Sequence, residues 1–208
     1  MSFIAKLPFF IFGSTLLLNP LSASSEIHEE VQQDSSWLHD FIQTTPDFPQ
    51  AGVQFKSYGP LLKDPAAFKR MINVFAERYR NIEIDAIAAL DARGFIFGTA
   101  LAYALDIPFV MVRKAGKLPG DVEQISYALE YGKNTLEIDR NILGRGQRVL
   151  VMDDLLATGG TAKAACDLVE RLGAEVVEVA CMIELTPLRG RERVGHPVFS
   201  LVTIHVDE

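Results

Sequence analysis

The segment VLVMDDLLATGGT, which spans residues 149–161, joins residue types that could bind a phosphorylated ligand. An apolar run leads into two adjacent carboxylates, Asp153 and Asp154, and a small hydroxylated loop follows them. Glycines let backbone N–H groups approach an anion closely, and the start of a following helix adds a positive dipole. We therefore predict that a phosphate group binds in this loop. The loop residues are Ala157, Thr158, Gly159, Gly160 and Thr161.

The acidic pair has its own predicted partner. Carboxylates accept hydroxyl hydrogen bonds well, so Asp153 and Asp154 suit the vicinal hydroxyls of a sugar or a hydrated magnesium ion. The alternative interpretation is a negatively charged loop that caps a helix. The sequence contains no Gly-x-x-x-x-Gly-Lys-Ser/Thr string, and no Gly-x-Gly-x-x-Gly follows a predicted strand, so neither common nucleotide-binding motif applies.

Buried strands and amphipathic helices alternate along the chain and would position these groups. Short apolar runs at 86–90, 107–112, 149–152 and 176–185 predict strands, and 198–204 predicts an edge strand. The first helical stripe follows Asp64-Pro65, ahead of these runs, and two more lie at 97–105 and 162–172. This order predicts an α/β fold with a mainly parallel central sheet flanked by helices. Ligands of such sheets bind beyond the carboxyl ends of the strands.

The segment 149–161 resembles the phosphoribosyl pyrophosphate (PRPP) motif of the type I phosphoribosyltransferases. That motif alone indicates only the superfamily. Five other stretches are similar to the adenine-specific branch of the family, and the resemblance covers roughly residues 38–202. These stretches are PDFPQAGVQF (46–55), LDARGFIFG (90–98), VRKAGKLPG (112–120), YALEYGKNTLEI (127–138) and IELTPLRGRERV (183–194).

The resemblance implies a fold and a reaction. The fold would be that of the type I phosphoribosyltransferases, with a small N-terminal hood and a flexible flap. The reaction would convert adenine and PRPP into AMP and diphosphate, a glycosyltransferase step of purine salvage. Mg²⁺ would be the cofactor, held mainly through PRPP and water, with Asp153 and Asp154 as candidate ligands.

A tight turn follows the strand at 86–90 and consists of Asp91, Ala92, Arg93 and Gly94. Its backbone amides and the Arg93 guanidinium suit a pyrophosphate. By resemblance, these four residues bind substrate and the Asp91–Ala92 peptide is cis.

Three cations follow the next strand within five residues: Arg113, Lys114 and Lys117. Such a cluster would balance a leaving group with four negative charges, whereas the alternative is a solvated basic surface. In the family, the residue that matches Arg113 reaches pyrophosphate across a subunit interface. The resemblance therefore implies a homodimer.

The remaining predicted site residues come from the resemblance. Glu130 matches the carboxylate proposed as general acid or base toward the purine, and Tyr131 would help to close the site. Phe55 would stack on adenine, while the backbones of Gln54 and Lys56 would contact its polar edge. The family usually has Arg at the position of Lys56 and Asp at the next one, but backbone contacts survive those changes.

Composition limits the other possibilities. The chain has 208 residues, 49% of them hydrophobic, and a formal net charge of −7. Such an acidic globular chain does not suit general nucleic-acid binding. Cys166 and Cys181 are too few for a disulfide scaffold or a four-ligand zinc site. Two alternatives stay open: a PRPP-binding regulator that keeps the fold without catalysis, and a phosphoribosyltransferase for another base, such as xanthine or orotate.

The N-terminal residues 1–36 differ from the rest. The apolar run 7–18 is too short for a transmembrane helix, and a preceding lysine with following small residues is typical of a secretory signal. A mistaken upstream start or a disordered extension is the alternative. We expect residues 1–36 to be a leader and linker and 37–208 to be one phosphoribosyltransferase domain. Because PRPP is made and used inside cells, we expect a cytoplasmic protein without membrane attachment unless the leader is retained, and secretion is the alternative.

Overall fold

A seven-stranded sheet forms the centre of the molecule. The computed structural model describes residues 35–128 and 133–205. The strand order is β5-β6-β4-β3-β7-β8-β9, and a separate two-stranded antiparallel sheet pairs β1 with β2. The strands are β1 Gln43–Pro46, β2 Gln54–Ser57, β3 Ala86–Leu90, β4 Phe109–Lys114, β5 Val122–Ala128, β6 Lys133–Asp139, β7 Arg148–Leu156, β8 Glu175–Leu185 and β9 Val198–Ile204.

The helices cover both faces of the large sheet. They are α1 Gly59–Lys63, α2 Pro65–Tyr79, α3 Gly94–Leu105, α4 Gly160–Arg171 and α5 Gly190–Val194, with 3₁₀ turns at Ser36–Phe41 and Thr186–Leu188. The strands β4, β3, β7, β8 and β9 run parallel to one another, whereas the β5–β6 hairpin joins β4 antiparallel. The predicted mainly parallel α/β fold is confirmed.

Strand β3 shows why a continuous apolar run predicts a central strand. Ile87 and Ala89 pack in the core beneath α2 and α3, while Ala86, Ala88 and Leu90 pack in the core on the α4 side. All five side chains are buried, so neither face of the strand can carry a polar residue.

Helix α2 begins where the sequence predicted. Asp64 is the N-cap, and its side chain accepts hydrogen bonds from the backbone N–H groups of Ala66 and Ala67. Pro65 occupies the first turn, where its missing N–H costs nothing. The apolar stripe then buries Phe75 and other residues against the sheet.

Two strand boundaries differ from the prediction. The strand expected at 107–112 is Phe109–Lys114, because the Ile107 N–H bonds to the Ala102 carbonyl at the end of α3 and Pro108 has no N–H to pair. The strand expected at 149–152 continues to Leu156, since β8 pairs with it as far as Leu156 opposite Glu184. The acidic pair therefore lies inside the last part of β7 rather than after it.

The edge strand predicted at 198–204 is confirmed, since β9 lies at one end of the strand order. None of the helices in the described parts of the chain combines the length and the apolar character that a bilayer crossing requires.

Helix α3 approaches the sheet closely at Gly98. A Cβ atom there would lie 2.6 Å from the Ala89 Cβ and 3.2 Å from the Phe109 ring. We expect Gly98→Ala to lower the free energy of unfolding by about 1–2 kcal/mol, because overpacking costs roughly 1–3 kcal/mol and the helix propensity of alanine recovers up to about 1. Urea unfolding measures the change. The matched variant Gly59→Ala, whose nearest atom would be 3.8 Å away, should retain stability. Equal stability of the two variants would contradict this packing.

Candidate active site

The loop between β7 and α4 forms a pocket at the carboxyl edge of the sheet. The loop 157–161, Asp153, Val179 and Cys181 are among the residues that line it. Gly159 has a φ of 77°, a left-handed conformation that glycine adopts without strain, and it is the N-cap of α4. The predicted phosphate loop thus ends at the N-terminus of a helix of twelve residues, where unpaired N–H groups suit an anion.

Helix α5 packs closely against the backbone of this loop. A Cβ atom at Gly190 would overlap the carbonyl oxygen of Ala157, and one at Gly159 would overlap the carbonyl oxygen of Gly190. The guanidinium of Arg193 lies 3.3 Å from the Cβ position of Gly160. No role was predicted from the sequence for Gly190 or Arg193. The available signal was that both lie in the similar stretch 183–194.

Asp154 is buried and Asp153 is half-buried, and the pair contacts the turn after β3. Asp154 is only 3% exposed, and its Oδ2 atom lies 2.9 Å from Arg93 Nε. Asp153 Oδ1 accepts a hydrogen bond from the backbone N–H of Asp154 at 2.8 Å. Gly94 permits this approach, because a Cβ atom there would lie 2.9 Å from the Met152 carbonyl oxygen and 3.1 Å from Asp153 Oδ1.

The electrostatic environment of the pair shifts two pKa values. Burial, and then the neighbouring Asp154 carboxylate, raise the pKa of Asp153 well above its usual range. Burial, followed by the Asp154 carboxylate, also raises the pKa of Tyr58, which therefore stays neutral. Burial is the larger cause of both shifts and the Asp154 carboxylate is the second, so a hydroxyl donor or a cation beside Asp154 would be favoured.

The two-stranded sheet β1–β2, which is the predicted N-terminal hood, brings an aromatic ring close to Arg93. Phe55 lies on β2, and its ring centroid is 5.2 Å from that of Phe48 in an edge-on arrangement. The Arg93 guanidinium carbon lies 5.4 Å from the centre of the Phe55 ring. Arg93 therefore contacts both Asp154 and the predicted base-stacking ring.

The two hood residues predicted to act through their backbones flank Phe55. Gln54 is exposed, whereas Lys56 is buried and its Nζ donates to Thr44 Oγ1 at 2.9 Å. The buried Lys56 side chain thus joins β2 to β1, and the role of its backbone toward a base stays a prediction.

Strand β4 ends beside the same turn. The Asp91–Ala92 peptide bond is cis, as the resemblance implied. Arg113 donates from Nε to Asp91 Oδ2 at 3.1 Å and from Nη1 to the Lys117 carbonyl oxygen at 3.1 Å. The structure therefore brings Asp91, Arg113 and Lys117 together, and Lys114 is exposed at the end of the strand.

The β5–β6 hairpin contacts the phosphate loop. Tyr127 Oη lies 3.0 Å from Thr161 Oγ1, within hydrogen-bond distance. The strands of the hairpin pair from Val122 opposite Asp139 to Ala128 opposite Lys133. Glu130 and Tyr131 lie outside the described residues, so their roles stay predictions.

The donor atoms present fit the expected manner of magnesium binding. In the described ranges 35–128 and 133–205, no group of three or more His, Cys, Asp or Glu side chains could hold a metal ion. Mg²⁺ commonly binds through one or two carboxylates together with substrate phosphates and water. Asp153 and Asp154 offer such carboxylates beside the phosphate loop.

Comparison with known proteins identifies the class to which this fold and site belong. Residues 57–207 match the family described as the phosphoribosyl transferase domain. That match covers most of the chain, which therefore belongs to the phosphoribosyl transferase family.

The relatives of this chain show to which branch of the family it belongs. The adenine phosphoribosyltransferase of Roseiflexus castenholzii is 53% identical over 162 residues, which are 78% of this chain and 94% of the relative. The enzyme of Mus musculus is 53% identical over 165 residues, 77% of this chain and 92% of the relative. The chain is thus a member of the adenine phosphoribosyltransferase branch, as the sequence predicted.

Solved structures of adenine phosphoribosyltransferases have the same fold as this chain. The adenine phosphoribosyltransferase of Thermoanaerobacter pseudethanolicus superposes with a TM-score of 0.80 at 44% identity and covers 82% of this chain and 99% of its own. The Saccharomyces cerevisiae enzyme, solved with an imino-altritol bisphosphate and adenine, gives a TM-score of 0.77 at 40% identity and covers 83% and 99%. The Trypanosoma brucei enzyme, solved with AMP, pyrophosphate and ribose-5-phosphate, gives 0.75 at 28% identity and covers 83% and 79%.

The contact between α5 and the phosphate loop generates a prediction. Gly190→Ala would push the Ala157 carbonyl and displace the loop. We expect the dissociation constant for ribose 5-phosphate, measured by calorimetry, to rise about tenfold or more, because one charge-assisted hydrogen bond is worth roughly 1.5–3 kcal/mol. Gly144→Ala is the matched control, since the nearest atom to its Cβ position is 3.5 Å away on the Gln147 side chain. Unchanged affinity in the Gly190 variant would show that α5 does not shape the loop.

Proposed function

We propose that the chain transfers the 5-phosphoribosyl group of PRPP to adenine and releases diphosphate, and that it thereby forms AMP in purine salvage. The observation that carries this proposal is the position of Arg93. Its Nε atom pairs with Asp154 while its guanidinium lies 5.4 Å from the Phe55 ring. A sugar held by the carboxylates and a base stacked on the ring would therefore be neighbours.

The 5′-phosphate has a site at one end of this arrangement. The backbone N–H groups and hydroxyls of the loop 157–161 would hold it at the N-terminus of α4. Asp153 and Asp154 would accept hydrogen bonds from the ribose hydroxyls, directly or through water. Both contacts fix the ribose, and positioning of this kind can supply a large part of the rate enhancement.

The reaction breaks one bond and forms another at the anomeric carbon. A purine ring nitrogen forms the new bond to that carbon, and the bond to the diphosphate oxygen breaks, so the ribose carries positive charge in the transition state, by analogy with glycoside hydrolysis. The carboxylates near the ring would stabilise that charge. The turn 91–94 and Arg113, Lys114 and Lys117 would stabilise the departing diphosphate.

Glu130 would hold or move the proton of the purine, and Tyr131 would help to exclude water from the activated sugar. Mg²⁺, when bound, supplies charge neutralisation for the diphosphate. The residues that would hold it are Asp153 and Asp154, in addition to PRPP and water.

A homodimer is also part of this proposal. Large apolar side chains on α3 and β4 are exposed in the single chain, and Tyr103 is 89% exposed. Ile96 and Met111 are exposed on the same two elements, and β4 carries Arg113. A second copy that covered this surface would place the two Arg113 side chains near the interface.

We further propose that the protein acts in the cytoplasm, because PRPP is made and used inside cells. N-terminal sequencing of the native protein would establish whether residues 1–36 are present in it.

The regulator alternative keeps the fold and loses catalysis. The chain has a net charge of −7 and retains Glu130, and both features favour the enzyme over a nucleic-acid-binding regulator.

Steady-state turnover with a panel of bases tests the proposed function. We expect adenine to react with PRPP and Mg²⁺ far faster than guanine, xanthine or orotate, because a site built to hydrogen-bond one base leaves polar groups unpaired with another. The measurement is the value of kcat/KM for each base. Faster turnover of another base would contradict the substrate assignment, and no turnover with any base would favour the regulator.

The proposed role of Glu130 has a separate test. We expect Glu130→Gln to lower kcat by about 10²–10⁴-fold, because general acid–base catalysis contributes on that order, and to leave the KM for PRPP nearly unchanged. Glu77→Gln is the control, since Glu77 is exposed on α2. Unchanged kcat in the Glu130 variant would remove this carboxylate from the mechanism.

A further inference from the structure

Glu137 on β6 is a buried carboxylate to which the mechanism above gives no role. It is 1% exposed, and its two oxygens accept four hydrogen bonds. Three come from consecutive backbone N–H groups, those of Gly116 at 3.0 Å, Lys117 at 2.7 Å and Leu118 at 2.7 Å. The fourth comes from Gln124 Nε2 at 3.0 Å.

The charge of Glu137 is stabilised by these N–H donors. Among the ion pairs that the described residues form, none includes this side chain. Burial by itself would raise its pKa, but the hydrogen bonds from Leu118, Gly116 and Lys117 outweigh burial and lower the pKa of Glu137 below its usual value. The carboxylate is therefore ionised at neutral pH.

Glu137 binds the turn 115–118, which carries Lys117, one of the cations predicted to bind the diphosphate. Lys117 is exposed on it, and the Lys117 carbonyl oxygen accepts a hydrogen bond from Arg113 Nη1 at 3.1 Å. One peptide segment is thus held from two sides: Glu137 accepts from its N–H groups, and Arg113 donates to its carbonyl. Arg113 is in turn held by Asp91 at 3.1 Å.

Three consecutive N–H groups form the kind of concave surface that binds an anion. In this turn Glu137 already fills it, so those N–H groups cannot bind the diphosphate of a substrate. Recognition of the diphosphate at this strand end then depends on the side chains of Arg113, Lys114 and Lys117, and their positions depend on the shape of the turn. Gly116 has a φ of 81°, so the backbone at that residue adopts a conformation that glycine permits.

We propose that Glu137 is a positioning residue for diphosphate recognition: it fixes the turn 115–118 and thereby places Lys117 and the Arg113 guanidinium for the diphosphate group of the substrate. This inference rests on the proposed function, since it assigns the diphosphate to that turn. Because AMP carries no diphosphate, Glu137 should affect PRPP and diphosphate and leave AMP largely unaffected.

The test is Glu137→Gln in the full-length protein. The amide keeps the size of the side chain, but it removes the charge and directs an NH₂ group at an N–H donor. We expect the KM for PRPP, and the KM for diphosphate in the reverse reaction, to rise about tenfold, because one charge-assisted hydrogen bond is worth roughly 1.5–3 kcal/mol. The dissociation constant for AMP, measured by calorimetry, should change by less than about twofold.

Glu178→Gln is the matched control. Glu178 is 9% exposed and accepts hydrogen bonds from Arg78 and Tyr79, away from the turn 115–118. Its substitution also removes a buried carboxylate, so it reports how stability loss alone affects binding, and we expect all three ligand constants to stay near those of the unchanged protein. Should Glu137→Gln fail to fold, Glu137→Asp keeps the charge with a shorter reach, and a smaller change in the same direction is expected.

The outcomes separate the two proposals. Selective loss of PRPP and diphosphate binding supports the role of Glu137. Unchanged constants, or equal loss of AMP and diphosphate binding, would overturn that role while the proposed function stands. An unmodified protein that fails to convert adenine and PRPP would overturn both.

Discussion

The ion pair between Arg93 and Asp154 is the interaction on which the arrangement of the site depends. Asp154 is almost fully buried, and a buried carboxylate without a partner costs several kcal/mol, roughly its desolvation. Arg93 reaches it because the turn 91–94 lies against the end of β7, and Gly94 leaves room for that approach. Loss of the Arg93 guanidinium would leave the Asp154 carboxylate buried without this ion-pair partner.

The turn 91–94 also connects the acidic side of the site to its cationic side. Asp91 accepts from Arg113 on β4, and Arg93 pairs with Asp154 on β7. Two side chains of one short turn thus bind groups of opposite charge on the two strands that flank β3. The turn therefore partly balances the charge on both sides of the site: the cationic side that we propose for a diphosphate and the acidic side that we propose for the ribose hydroxyls.

Much of the fold followed from local patterns. The run at 86–90 predicted β3 because a strand buried on both faces tolerates apolar residues alone, and Asp64-Pro65 predicted the start of α2 through capping. The end of β7 could not be predicted in this way. Hydropathy falls at Asp153, but hydrogen bonding to β8 continues to Leu156, and the partner strand decides where pairing stops.

The candidate site was predictable where its residues follow strands directly, since parallel strands place their carboxyl ends at one edge. Glu137 gave no comparable signal, because one glutamate in a hairpin is common and its partners at 116–118 are distant in sequence. Gly190 likewise acts only through a backbone contact with the phosphate loop. The roles of both residues follow from tertiary contacts and not from local sequence patterns.

The strands β5 and β6 connect the loop 157–161 with the turn 115–118. Tyr127 on β5 contacts Thr161 of the phosphate loop, while Gln124 on β5 and Glu137 on β6 contact each other, and Glu137 holds the cationic turn. The residues that connect β5 to β6 include Glu130. The strands β5 and β6 are therefore hydrogen-bonded to the loop 157–161 and to the turn 115–118, the two elements that would hold the phosphate groups of PRPP. The strands that precede and follow Glu130 in the sequence are thus positioned by the same two elements that we propose to bind the 5′-phosphate and the diphosphate of PRPP.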